Sequence, residues 1–422
     1  MARQKAQFMW QNSSYMETPA DSIQSMMVTC PACGLLCDDV IVSSTAPIKV
    51  KNGCAKSISF FEQPYQETKP MLAGKVCDLE TAVHAAAQIL DKSNQPLFAG
   101  LGTEVQGMRA VMRLAEKIGA TLDHMHSEAT IRNTLALQNS GWQTTTLTEI
   151  KNRADVILAI GTDIISSHPR FLENLVWNND SLFRKNKPEV LYLDAGAEAQ
   201  NLPEIINGLN GLANGKKLLA EHIAGVSVES LQQTLDKLKA AQYAVIVWSA
   251  SNLNFAHAEL TIQSITRLIA KLNESTRVAG LPLNSGDGDT SINNTSTWLS
   301  GYTTRNRIGN NQAEYDTQRF STQQQLKECD ALLWISTFNA YLPPQTDVPT
   351  IVIGHPNMQF DKVPDVFIPV GLPGLDHTGT MFRMDSAVAL PLKKVRNSNL
   401  AKLSEVITQI EAKLNQADIN RP

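Results

Sequence analysis

Residues 149–162 read E-I-K-N-R-A-D-V-I-L-A-I-G-T, and residues 325–337 read Q-L-K-E-C-D-A-L-L-W-I-S-T. In both, a charged helix end leads into a near-continuous apolar run that stops at small residues. A run of that kind is a strand buried on both faces, as in parallel sheet covered by helices. Each is followed by a second run that ends in a turn, L-Y-L-D-A-G at 191–196 and I-V-I-G-H-P at 351–356. Working outward, further strand-like runs fall at 96–100, 154–161, 189–194, 243–249, 277–283, 330–336, 350–354 and 366–370. Helical spacing falls at 79–93, 104–118, 132–140, 168–177, 229–240, 255–272 and 321–328. The fold class is therefore α/β, with two doubly wound parallel-sheet halves expected over 79–225 and 226–375. In such sheets ligands sit beyond the carboxyl ends of the strands, at the switch point. The loops after Ile160, Leu193, Ser249, Leu283, Ile335 and Ile353 are the places to look.

Three segments flank these halves. Residues 1–27 are polar, methionine-rich and aperiodic, and read as a flexible extension. Residues 28–78 form a small module with short strands expected at 40–42 and 48–50. Residues 376–422 contain the strand-like V-A-L-P-L and an amphipathic helix at about 399–414.

The small module carries a four-cysteine pattern. Cys30, Cys33, Cys37 and Cys54 follow the spacing C-x2-C-x3-C-x16-C, and the whole chain of 422 residues has only six cysteines. Four gathered thiolates hold an iron–sulfur cluster or a structural Zn²⁺. The alternative is a relic site whose thiols are reduced and buried as small hydrophobes. A large chain with no continuous apolar core in its first 27 residues does not read as secreted. Its cysteines therefore point to metal or redox use in a cytoplasmic setting. A formal net charge of −4 gives no reason to expect nucleic acid or an anionic membrane as partner. No run of 18 apolar residues suggests a membrane span.

Other candidates are weaker. His124, His126 and Glu128 form H-x-H-x-E in what reads as a strand end and loop, where a polar contact is expected over metal binding. Ser167-His168-Pro169-Arg170 reads as a strand-to-helix turn that caps a helix, with phosphate binding as the alternative. Asn284 to Asp289, N-S-G-D-G-D, is a polar glycine-rich loop after a strand, without the calcium-loop pattern. No P-loop, G-x-S-x-G or H-E-x-x-H is present.

Taken together, several motifs resemble one family. They are C-x2-C-x3-C-D-D (Cys30 to Asp39), N-G-C (Asn52 to Cys54), L-A-L-Q-N-S-G-W (Leu135 to Trp142), T-L-T-E-I-K-N-R-A-D-V (Thr146 to Val156), S-H-P-R (Ser167 to Arg170), W-L-S-G-Y (Trp298 to Tyr302) and G-L-P-G-L-D-H-T-G-T-M-F-R-M-D (Gly371 to Asp385). The chain resembles the B subunit of formylmethanofuran dehydrogenase, most closely the version in the bacterial formyltransferase/hydrolase complex. The resemblance implies a molybdopterin-oxidoreductase-like fold and a [4Fe-4S] cluster on the four N-terminal cysteines, with Zn²⁺ or an empty site as alternatives. In the dehydrogenase it also implies tungsten or molybdenum on two pterin dinucleotides, ligated by a cysteine or selenocysteine of the protein. That ligand falls near Ala129 or Thr130 here, in D-H-M-H-S-E-A-T-I-R-N-T (123–134), which has no cysteine. Neither a methyl nor a neutral hydroxyl replaces a soft thiolate. The expectation is therefore a structural, non-catalytic B subunit without a tungsten or molybdenum pterin. Its partners would be the A, C and D subunits, with hydrolysis on the first and transfer on the last, in tetrahydromethanopterin-linked formaldehyde oxidation. The vacated cavity is expected to be filled or collapsed. The competing expectations are an active tungsten or molybdenum dehydrogenase component and an electron-transfer-only iron–sulfur component.

Overall fold

The computed structural model describes residues 25–43, 45–193 and 199–419. The expected extension over 1–27 lies outside them except for its last three residues, and those are ordered into a sheet. Strand β1 (Ser25–Val28) pairs antiparallel with β2 (Val40–Ser43), which pairs with β3 (Val50–Lys51). S-M-M-V carries little strand propensity before Val28, so the pairing itself supplies what the residues do not signal. Helix α1 (Ala55–Phe61) starts directly after Cys54 and closes the module by burying Phe60 and Phe61 edge to face.

A hairpin of β4 (Met71–Leu72) and β5 (Lys75–Val76) leads to α2 (Leu79–Lys92). Asp78 caps α2 by accepting from the Thr81 amide at 2.7 Å, and Ala82, Val83, Ala86, Ala87 and Leu90 face the core. Strand β6 (Pro96–Gly102), α3 (Val105–Ile118) and β7 (Thr121–Leu122) begin one sheet, which the chain then leaves. Helices α4 (Ser127–Ser140) and α5 (Leu147–Arg153) precede a second sheet. Its elements are β8 (Val156–Ile160), the short α6 (Ile164–Ser167), a π-turn at Leu172–Val176, β9 (Glu189–Leu193) and α7 (Leu202–Ala213). The hairpin β10 (His222–Ile223) and β11 (Val226–Ser227), α8 (Val228–Ala240), β12 (Ala244–Ser249), α9 (Ala258–Leu272) and β13 (Val278–Leu283) complete it. Helix α10 (Asp289–Ser300) and the hairpin β14 (Asn306–Gly309) and β15 (Gln312–Tyr315) return the chain to the first sheet. There α11 (Thr322–Gln325), β16 (Ala331–Ser336), β17 (Thr350–Gly354) and β18 (Val366–Pro369) follow. A hairpin of β19 (Gly379–Phe382) and β20 (Ala389–Leu392) and the helix α12 (Leu403–Ile419) end the described chain.

The smaller sheet has the order β13-β12-β8-β9, all parallel. The parallel centre of the larger sheet is β7-β6-β16-β17-β18, with β14 and β15 added antiparallel at one edge and β4 and β5 at the other. Numbered by appearance among the parallel strands, the smaller runs 2-1-3-4 and the larger 2-1-3-4-5, a doubly wound order whose switch point lies between the first and third strands. Two doubly wound sheets are thus present, but the expected division at 225/226 does not separate them. It cuts the smaller sheet between β9 and β12, while β6 and β7 pair across the molecule with the sheet built after residue 300. Local pattern tells strand from helix but does not say which sheet a strand joins. For the same reason the two stretches that look alike are not equivalent: β8 is the first parallel strand of its sheet and β16 the third parallel strand of the other.

Burial alternates as two-sided sheets require. On β8, Val156, Leu158 and Ile160 pack towards α7, α8 and α9, while Ile157 and Ala159 pack towards α5 and the π-turn. On β6, Phe98 faces α2, α3 and α12, while Leu97 and Ala99 face the opposite layer with Trp334 and Phe367. Some helices differ from expectation. The one expected at 132–140 begins at Ser127, and the one at 168–177 is only the π-turn, with α6 ending just before Pro169. Helices α1, α7 and α10 lie outside the expected set; α7 carries a helical stripe, Leu202, Ile205, Ile206 and Leu209, behind a proline in its first turn, whereas α10 reads D-T-S-I-N-N-T-S-T-W-L-S, a run of weak helix formers. The C-terminal helix lies at 403–419 rather than 399–414. Among the described residues no helix is long and apolar enough to cross a membrane.

Candidate functional site

The carboxyl ends of both sheets open onto one cleft of ≈ 620 Å³. Ser249 comes from the end of β12, Ser167 and His168 from beyond β8, and Asn284 to Asp287 from the loop after β13. Phe338 to Tyr341 follow β16, and His355 follows β17. The cysteine module supplies the remaining wall through Cys33, Ala55 and Lys56. Each sheet keeps its own core, and the gap between their strand ends is lined largely by polar groups; none of residues 123–134, where a vacated space was expected to be filled, is among them.

The cysteine module docks beside this cleft. Cys30, Cys33, Cys37 and Cys54 line one small cavity with Lys56, Ser57 and Arg170, and Cys33, Ala32 and Lys56 belong to the walls of both spaces. The turn holding them is tight: the Cys30 amide donates to the Cys37 carbonyl at 2.9 Å. A Cβ on Gly34 would lie 2.3 Å from Asn284 of the cleft loop, so only glycine admits that contact. Burial pushes the Cys30 and Cys33 thiols up, and burial together with the Cys33 sulfur pushes Cys37 up to about 12. As free thiols these groups stay protonated; only a bound metal would hold them as thiolates. One sulfur has a committed donor, Asn174 Nδ2 at 3.6 Å from Cys37 Sγ; the Ser57 hydroxyl donates mainly to the Cys54 carbonyl at 2.8 Å and lies 3.7 Å from Cys54 Sγ. The four-sulfur donor set with a hydrogen bond to sulfur fits an iron–sulfur cluster. No group of three or more His, Cys, Asp or Glu side chains among the described residues is arranged to hold a single metal ion. Cys329 is buried in the core and takes no part.

Segment 123–134 lines a second surface hollow through Asp123, His124, Met125, Ser127 and Glu128, and touches the cleft lining through Asp287. His124 and His126 follow β7 in a loop, and His126 stands at the start of α4. They do not converge on one point. The His126 ring Nε2 is 3.0 Å from Asp287 Oδ2, while His124 Nε2 meets the Asp287 carbonyl oxygen at 3.2 Å. Asp287 also accepts from Asn339 Nδ2 at 2.6 Å, so one residue of N-S-G-D-G-D joins three segments. Arg305 secures the other side. Its guanidinium donates to Glu128 at 2.6 Å, to the Thr317 carbonyl at 2.6 Å and to Ser127 Oγ at 3.2 Å. Arg132 donates to the Ala250 carbonyl at 2.9 Å. Ala129 is buried in the smaller sheet's core.

The stretch Ser167-His168-Pro169-Arg170 ends α6 rather than opening a helix. His168 lines the cleft, with Nε2 2.8 Å from Asn284 Oδ1 and burial holding its pKa down. Arg170 instead turns away to Asp39 of the cysteine module, 2.7 and 2.8 Å through both terminal nitrogens. Asp39 and Arg170 each stand inside a recognisable motif, yet nothing in the sequence signals that they pair. The same holds for Lys56, Tyr341 and His355 in the cleft walls.

No family model matches the chain. Individual proteins do. The chain is 31% identical over 326 residues, 73% of its length and 86% of the relative's, to the B subunit of the formyltransferase/hydrolase complex Fhc of Methylorubrum extorquens. The chain belongs to the formylmethanofuran dehydrogenase/Fhc B-subunit family. It is also 26% identical over 414 residues to the B subunit of the tungsten-containing formylmethanofuran dehydrogenase 2 of Methanococcus maripaludis, spanning 90% of this chain and 95% of that protein. The crystal structure of the FhcABCD complex from Methylorubrum extorquens with methylofuran matches with a TM-score of 0.68 and 27% identity, over 83% of this chain and all of the matched chain. Acetylene hydratase from Pelobacter acetylenicus matches with a TM-score of 0.59 at 12% identity, over 93% of this chain and 69% of that one. The fold is thus that of the molybdopterin oxidoreductases, as expected from the motifs. The Methanococcus maripaludis relative is a tungsten-containing protein. The residues that stand where a protein thiolate would be required, Ala129 and Thr130, do not fit that role: one is buried in an apolar core and neither carries a soft donor.

Proposed function

We propose that this chain is the structural B subunit of a formyltransferase/hydrolase-type complex in one-carbon metabolism and does not itself carry out redox chemistry at tungsten or molybdenum. The observation that carries this reading is segment 123–134. Ala129 and Thr130 stand in place of a ligating thiolate, and His126 is held by Asp287 at the cleft wall. In this reading A, C and D subunits are its partners, with hydrolysis on the first and formyl transfer on the last, and the chain braces their assembly. The quartet Cys30, Cys33, Cys37 and Cys54 holds a [4Fe-4S] cluster, whose chemistry is one-electron exchange; in a chain without a terminal metal it serves the module's structure. The chain's own groups prepare the site: Asn174 directs a donor to the Cys37 sulfur, and Lys56 and Arg170 place positive charge beside it.

The complex purified anaerobically from its own cell decides the matter. Formyl transfer and hydrolysis activity, iron and sulfide near four per chain, and no tungsten or molybdenum are expected. Tungsten or molybdenum at about one per chain would overturn the reading. A specific observation favours the second reading, an active dehydrogenase component: the cleft remains open at ≈ 620 Å³, and a relative with 95% coverage is a tungsten protein. The same metal analysis separates the two.

A further inference from the structure

We infer that Arg170 sets the electrostatic balance of the four-cysteine site, favouring the reduced state of a cluster held there, with Asp39 as the opposing weight. This rests on the reading that the quartet carries a cluster. Arg170 comes from the smaller-sheet side of the molecule, between α6 and the π-turn, yet lines the cysteine cavity with its side chain only 5% exposed. Its two terminal nitrogens bind both oxygens of Asp39, two residues beyond Cys37, at 2.7 and 2.8 Å. Nη2 also meets Glu173 at 3.0 Å, and Asn52, two residues before Cys54, donates to Asp39 at 2.9 Å. The guanidinium is thereby held rigidly on the sulfur side of the module, with the planar two-point geometry that arginine alone supplies. Among the described residues the cavity's lining holds one other cation, Lys56, which donates to the neutral Ser167 carbonyl at 2.6 Å and keeps its charge on the Cys33 side, whereas Arg170 acts on Cys37.

Charge dictates the direction. A cluster that takes up one electron becomes more negative, so a buried neighbouring cation favours the reduced form and a neighbouring carboxylate opposes it. Removing the guanidinium also strips Asp39 and Glu173 of their counter-charge, which adds to the effect. Removing the Asp39 charge does the reverse. A purely structural anchor would make both losses act alike, because either one breaks the same pair.

The test uses the full chain with its partner subunits, purified anaerobically. Iron and sulfide are counted, and the cluster is titrated with dithionite while its paramagnetic signal is followed. In Arg170→Gln, the ratio of reduced to oxidised cluster at the wild-type midpoint is expected to fall about tenfold, which is ~59 mV for a one-electron couple. In Asp39→Asn it is expected to rise, and Arg170→Lys, which keeps the charge without the fork, is expected to lie between wild type and Arg170→Gln. Should Arg170→Gln lose its iron, Asp39→Asn and Arg170→Lys decide. Shifts in the same direction, or none, at full iron content overturn the inference. An iron-free wild-type complex overturns both the inference and the cluster reading it rests on.

Discussion

His126 and Asp287, 161 residues apart in sequence, meet at the wall of the cleft with ring nitrogen and carboxylate oxygen 3.0 Å apart. Burial works against charging the ring, but the hydrogen bond and charge of Asp287, helped by Asp289, win and raise its pKa above the ordinary value. His124, Tyr341 and Asp289 are the other titratable groups that face this pair.

The pair has a pH signature. A histidine whose folded pKa is raised contributes stability that is fully present below its unfolded value, about 6.5, and is lost as pH rises through the folded value. Denaturant midpoints taken across that window are expected to decline with pH in the wild type. His126→Gln is expected to abolish its share of that decline, about 1 kcal/mol. An identical pH profile in the variant would remove the pair from the account.

Glu104 carries a second, deeper titration. Its carboxylate caps α3, accepting from the Gly107 amide at 2.8 Å and from the Gln106 amide, yet burial raises its pKa to about 7. The sign again follows from a raised value: folding favours the protonated form, so stability is greatest below the ordinary glutamate value and falls as pH rises towards 7. Glu104→Gln is expected to flatten that fall, which is of order 3 kcal/mol for a shift of this size. Thermal unfolding at several pH values between about 4 and 8 measures it.

Gly34 limits how closely the cysteine module can dock. With a Cβ placed 2.3 Å from the Asn284 amide, Gly34→Ala is expected to displace the cleft loop and cost about 1–3 kcal/mol. Gly34→Ala combined with Asn284→Ala should recover part of the loss, since the clash is with that side chain. Urea unfolding of both variants tests this; equal losses in the single and double variants would contradict it.

Substitution of a ligand should empty the quartet without unfolding the sheets. Cys37→Ser is expected to lower iron and sulfide and the absorption near 400 nm, while the far-ultraviolet circular dichroism, dominated by the two sheets and their helices, stays near wild type. Under the cluster reading, full iron content in Cys37→Ala, which offers no ligand at all, would place the cluster elsewhere.

Much of the architecture can be read from residues 149–162 and 325–337 alone, because two-sided burial of Val156 to Ile160 and of Ala331 to Ser336 leaves a continuous apolar run. Helix α3 is equally plain, with its buried stripe from Met108 to Ala115. What stays hidden is partnership. The pairing of Pro96–Gly102 with Ala331–Ser336, of Arg170 with Asp39, and of His126 with Asp287 each joins residues more than 100 apart. No periodicity encodes such a contact. The four cysteines are legible as a set because their spacing is local for three of them. The cleft is legible only in part, since the loops after Ser249, Leu283, Ile335 and Ile353 do line it, but its remaining openness depends on how two sheets face each other.

The interleaving of the two sheets also bears on how the chain is made. Thr337, just past the end of β16, binds the Gly102 carbonyl at the end of β6, and the two are separated by 235 residues. At the usual pace of synthesis that interval lasts about 12–47 s. Throughout it β6 lacks its β16 partner strand, and within it every strand of the smaller sheet is made, before β16. The inner unit can therefore finish first, and the exposed edge of β6 is the surface that nascent-chain chaperones would be expected to guard.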